Sequence, residues 1–136
     1  MIEFSVRGKG PVYLVDDDKF YQMIIQRVYQ SSRLANPLEC YDSGIACLEA
    51  LERTVGMRES VPSLVLLDVN MPVLSGIETV RRIRARKEFA EIPVVTMLSS
   101  SNDQCDIEAA LSAGASGYCE KPVDIKVLKF VAMPVG

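Results

Sequence analysis

The chain has 136 residues, of which 49% are hydrophobic and 24% charged, and its formal net charge is −3. That is about the size of one compact domain with enough apolar residues for a core, and no run approaches the ~20 apolar residues that span a membrane. The acidic balance argues against nucleic-acid binding, which needs a basic footprint, and the lack of any histidine excludes imidazole bases and His-based triads.

Residues 1–10 read as an N-terminal extension without the long apolar segment of a secretory signal, so a cytoplasmic protein is expected. Val12 to Val15 is a short apolar run ended by Asp16, Asp17 and Asp18, which predicts a buried strand. From Lys19 onward, Phe20, Met23, Ile24 and Val28 recur at helical spacing. Asn36 to Tyr41 is a weaker strand. Ser43 caps the next expected helix, whose apolar face is Ile45, Leu48, Leu51 and Val55. Gly56 and Pro62 bracket a polar loop.

Leu64 to Leu67 is a second buried strand, ending in Asp68 and followed by the loop Val69-Asn70-Met71-Pro72. Ser75 and Gly76 open a helix with Ile77, Val80 and Ile83 on its apolar face. The basic run Arg81, Arg82, Arg84, Arg86 and Lys87 forms no single stripe on a helix and reads as a solvated surface. Ile92 to Leu98 is another strand, ended by Ser99, Ser100 and Ser101. Ser101 or Asn102 caps a helix that buries Ile107, Ala110 and Leu111 and stops at Gly114. Ser116 to Glu120 is the fifth strand, Lys121-Pro122 follows, and Asp124 to Ala132 forms a last short helix. Consecutive β-α units of this kind predict a parallel sheet with helices on both faces. The four cysteines, Cys40, Cys47, Cys105 and Cys119, form no C-x-x-C pair and are expected to be reduced thiols rather than zinc ligands.

Ligands in such sheets bind beyond the carboxyl ends of the strands. Asp16, Asp17, Asp68, Ser99 and Lys121 each stand just after a predicted strand. Carboxylates crowded there raise one another's pKa, and a hard divalent cation relieves the repulsion. Mg2+ suits one or two carboxylates plus phosphate oxygens. Asp18 also fits as the N-cap of the first helix. Lys121 offers a point charge for phosphate oxygens and Ser99 a hydroxyl donor. An aspartate among them can act as nucleophile and carry an acyl phosphate.

Over about residues 11 to 132 the sequence resembles a response-regulator receiver domain. The resemblance rests on Val15-Asp16-Asp17, on Leu67-Asp68-Val69-Asn70-Met71-Pro72 with Gly76, on Ser99, on Gly114-Ala115-Ser116-Gly117-Tyr118 and on Lys121-Pro122. It implies a flavodoxin-like doubly wound fold with sheet order 2-1-3-4-5, a receiver unit over 11–133 and a tail over 134–136. It also implies that Asp16 and Asp17 hold Mg2+ (or Mn2+), with Asp68 as both phospho-acceptor and metal ligand and Asn70 giving a backbone carbonyl. Lys121 would bind the phosphate, and its bond to Pro122 would be cis. Ser99 would move toward the phosphoryl group and Tyr118 would follow it. Counting forward from Pro93 puts Leu98 at the hydroxyl position, whereas counting back from Lys121 puts Ser99 there, with Ser100 as the fallback. The implied partners are a histidine kinase or histidine phosphotransfer protein and a downstream target or output domain. Only 14 residues follow Pro122, so either a stand-alone regulator or a shortened chain is expected.

Two other readings stay open. Asp16-x-Asp18 resembles the opening motif of haloacid-dehalogenase-like phosphatases, but Phe20 stands where that motif wants Thr or Val, and no acidic pair follows Lys121. A degenerate receiver acting only as a binding module is the other; the full set of acids, lysine and hydroxyl counts against it.

Overall fold

The computed structural model describes residues 9–31, 35–98 and 104–121. Its five strands are β1 (Val12–Val15), β2 (Leu38–Tyr41), β3 (Leu64–Asp68), β4 (Val94–Leu98) and β5 (Gly117–Glu120). They alternate with α1 (Lys19–Ser31), α2 (Gly44–Met57), α3 (Gly76–Arg84) and α4 (Gln104–Ala113), and a 3-10 turn at Lys87–Phe89 precedes β4. The strands form one parallel sheet in the order β2-β1-β3-β4-β5, the expected architecture. Ser99, Ser100, Ser101, Asn102, Pro122 and the helix expected over Asp124 to Ala132 lie outside the described residues.

Strand alternation sorts the core into two layers. Val12, Leu14, Leu64, Leu66, Val95 and Met97 face α1, where Tyr21, Ile25 and Tyr29 meet them. Tyr13, Val15, Val65, Leu67 and Val94 face the opposite way, against α2 and α3 residues Cys47, Ala50, Leu51, Val80 and Ile83. Every residue of β1 and β3 is buried, which is why these strands read as unbroken apolar runs.

Three helix faces differ from expectation. On α1, Phe20 (68% exposed), Met23 and Ile24 are exposed, while Tyr21, Gln22, Ile25 and Tyr29 are buried. The polar atoms of the buried set are provided for. Gln22 Nε2 donates to the Asp16 and Tyr41 carbonyls, and the Tyr29 hydroxyl donates to the Asn36 carbonyl. On α2, Cys47, Ala50, Leu51 and Thr54 are buried, whereas Ile45 and Val55 are exposed. On α4, Ile107 and Ala110 are buried as expected but Leu111 is exposed.

Helix ends follow the capping residues. Ser43 Oγ accepts from Ala46 N–H and Ser75 Oγ from Glu78 N–H. Gly56 does not open the loop after α2. The helix runs past it and ends at Arg58, whose φ of 54° is left-handed. α4 stops at Gly114, where φ is +113°. Arg84 is no solvated side chain either. Its guanidinium donates to the carbonyls of Gly114, Phe89 and Ala90 and to Ser116 Oγ, stapling α3 to the turn that enters β5.

The buried face of α1 is open to a direct check. Ile25→Ala should cost about 2–5 kcal/mol of unfolding free energy, and Met23→Ala under about 1 kcal/mol. Urea denaturation of the two variants measures the difference. The reverse ranking would mean that α1 is rotated.

Candidate functional site

The site assembles at the carboxyl ends of β1, β3 and β5. β1 and β3 are neighbours with Val15 opposite Leu67, so Asp16 and Asp68 leave the sheet side by side. One carboxylate oxygen from each of Asp16, Asp17 and Asp68 lies within 4.8 Å of the others. Asp16 is fully buried, Asp68 is 3% exposed, and Asp17 is open to solvent.

The three consecutive aspartates meet different surroundings. Asp16 Oδ1 accepts from Asp18 N–H at 2.9 Å. Asp18 Oδ1 accepts from the N–H groups of Phe20 and Tyr21 at 3.0 and 3.2 Å, so Asp18 caps α1. Asp17 is left at the mouth of the site. Asp68 Oδ1 accepts from Asn70 N–H at 3.3 Å, which draws the β3–α3 loop back over the carboxylate. Gly76 opens α3 against the same residue. A Cβ there would overlap the Asp68 carbonyl oxygen, so only glycine lets the helix start this close.

Lys121 arrives from β5, two strands away, and its side chain is 18% exposed. Its Nζ lies 2.6 Å from Asp16 Oδ2 and 3.3 Å from Asp68 Oδ2. Among the described residues this short ion pair is the partner of the buried Asp16 Oδ2, which meets no other donor. The ammonium also sits over the Tyr21 ring, 4.7 Å from its centroid, a contact that neither motif nor spacing revealed. Phe, Leu or Met would have continued the apolar pattern there equally well.

These neighbours shape the titration of the site. Burial pushes the Asp68 carboxyl up to about 6, the Asp16 charge adds to the rise, and Lys121 and the Asn70 N–H oppose it. Burial works to lower the Lys121 pKa, but the contact with Asp16 and the Asp68 charge outweigh it, leaving the ammonium above its ordinary value.

A divalent cation fits this donor set. Three carboxylates converge, one of them carrying a buried oxygen that only the Lys121 ammonium meets among the described residues, and all the ligand atoms are hard oxygens of the type Mg2+ or Mn2+ takes. Asn70 stands at the loop position expected of the carbonyl ligand. Tyr118, half-buried in β5, packs with Ile77 against Val69 and Ile107, directly beyond Asp68. Ser99 lies outside the described residues, though the strand before it ends with Leu98 opposite Glu120. A groove of about 470 Å³ lined by Gly10, Val61, Pro62, Glu91 and Ile92 opens at the other end of the sheet, remote from the carboxylates.

Similarity to known proteins identifies the family. Residues 12–132 match the family model described as "Response regulator receiver domain". The chain is 30% identical over 118 residues to the probable methanogenesis regulatory protein FilR2 of Methanothrix harundinacea, covering 87% of this chain and 76% of that one. It is 28% identical to the chemotaxis protein CheY1 of Helicobacter pylori, covering 85% and 88%. The solved Mn2+-bound form of the response regulator Rcp1 superposes with a TM-score of 0.72 at 27% identity, over 92% of this chain and 90% of that one. The bacteriophytochrome response regulator RtBRR gives 0.76 at 26% identity, over 93% and 80%. With the buried acidic edge, the lysine from β5 and the sheet order all in agreement, this chain belongs to the response-regulator receiver domain family, whose members are two-component signalling switches.

Proposed function

We propose that the chain accepts a phosphoryl group from a phosphohistidine onto Asp68, with Mg2+ (or Mn2+) held by Asp16, Asp17, Asp68 and the Asn70 carbonyl. The observation that carries this reading is the meeting of three carboxylates within 4.8 Å, two of them buried, with the Lys121 ammonium against that buried pair. Bound there, the cation would supply charge neutralisation for the carboxylates and the phosphoryl oxygens.

The chain's own residues account for the rest. Asp68 supplies the nucleophilic oxygen; its O–P bond forms as the N–P bond of the phosphohistidine breaks, and the imidazole nitrogen keeps the electron pair. Lys121 turns its charge to the phosphoryl oxygens as Asp68 becomes an acyl phosphate. Ser99 then donates to the phosphoryl group, and Tyr118 follows from its place against Val69 and Ile107. The phosphohistidine belongs to a histidine kinase or phosphotransfer protein, and the altered surface is read by a target protein or output domain. Hydrolysis of the acyl phosphate resets the switch.

A carboxyl raised to about 6 from an ordinary 3.8 binds more protons folded than unfolded between those values. Asp68 therefore lowers stability as pH rises from about 4 to about 6 when no divalent cation is present. Asp68→Asn should stabilise the metal-free chain at pH 7 by about 1–3 kcal/mol and have little effect at pH 4. Urea midpoints at the two pH values measure it, and a variant less stable at pH 7 would contradict the charge crowding. For the chemistry, intact mass after incubation with acetyl phosphate should show one added phosphoryl group with Mg2+ and none with excess chelator. Asp68→Asn should take up none under either condition. Stable labelling of that variant would remove Asp68 from the mechanism.

A further inference from the structure

The two anions that hold Lys121 are the same two that the reaction engages. Asp16 would turn to the divalent cation, and Asp68 would become an acyl phosphate. Lysine carries a point charge on a flexible stem, and keeping one rotamer is entropically costly once its partners leave. Among the described residues, the contact of the ammonium that the reaction leaves alone is the Tyr21 ring, 4.7 Å from Nζ. That ring is 7% exposed and packed with Leu14, Ile25 and Met97. It is fixed at both ends, by its N–H on the capping Asp18 carboxylate and by its hydroxyl on Met97 Sδ at 3.9 Å.

Resting on the reading of Lys121 given above, we propose that Tyr21 is a positioning residue, its ring face holding the Lys121 ammonium beside Asp68 while the carboxylates change partners. An aromatic face attracts a cation without using up its N–H donors, so all three stay free for oxygens. With the side chain only 18% exposed, the attraction is partly desolvated and stronger than on an open surface. A leucine of similar reach would fill the space and leave the charge facing hydrocarbon.

The test replaces Tyr21 in the full chain by phenylalanine and then by progressively fluorinated phenylalanines. These keep the ring's shape while draining the negative face that attracts the cation. The rate of phosphoryl uptake from acetyl phosphate with Mg2+ is read beside the melting temperature. Phenylalanine should stay within about twofold of the native rate, and the most fluorinated ring should be slower by about five- to thirtyfold, with the melting temperatures grouped together. A rate independent of fluorination overturns the proposal, as does a rate that falls only in step with melting temperature. A native chain that takes up no phosphoryl group overturns the function proposed above as well. Native uptake with a flat series removes the Tyr21 role alone.

Discussion

The structure depends on holding like charges together at a buried edge. Asp16 and Asp68 lie under 5% exposed on neighbouring strands, where water cannot screen their repulsion. The charge that makes this tolerable comes from β5, across the end of β4. Local chain geometry cannot provide it. It requires β4 to pair with β3 and β5 with β4 in the observed register, so the site and the sheet are one problem in folding. A single ammonium between two carboxylates leaves the edge net negative. A divalent cation would answer that imbalance, and Asp17, exposed at the rim, adds a third carboxylate beside the buried pair.

How much of this was legible depends on the kind of signal each residue carries. β1 and β3 were plain because strands buried on both faces must be apolar throughout. The site acids and Lys121 were plain because polar residues directly after such runs project from the sheet's carboxyl edge. The faces of α1 and α2 were misread for a physical reason. Hydropathy ranks Phe20, Met23 and Ile24 above Tyr21, Gln22 and Tyr29, yet the latter are inside. Their polar atoms find partners that lie far off in sequence, at Tyr41 and Met97, or across a turn, at Asn36. Likewise Cys47 and Ala50 are small enough for α2 to lie close to the sheet, so burial there follows size rather than greasiness. Arg84 was read as solvated because composition cannot show four acceptors gathered around a guanidinium by a later turn.

The run Asp16-Asp17-Asp18 illustrates the limit of motif reading. One residue type, repeated three times, meets three different environments within a single turn of chain. Asp16 continues β1 and is drawn inward, with its backbone N–H on the Tyr41 carbonyl and its own carbonyl on Gln22. Asp18 has already left the strand and faces the first N–H groups of α1. Asp17, between them, projects to solvent. The place of Asp18 directly before the helix already marked it as a cap; the direction change between strand and helix is what separates the three.

The packing also bears on where a conformational response can run. The two main layers join all five strands to α1, α2 and α3 through residues that are almost all fully buried, and such packing resists graded deformation. Beyond Asp68, among the described residues, Val69 and Ile107 are the buried members of a small separate cluster, with Ile77 and Tyr118 half-buried beside them. Val69 directly follows Asp68 in the chain, and its N–H is held by the Met97 carbonyl. A phosphoryl charge on Asp68, as proposed above, would reach this cluster first. A shift between two arrangements needs only a few kcal/mol of differential interaction, and Val69, Ile107 and Tyr118 would carry it toward the exposed side of α4 and β5 without disturbing the core layers.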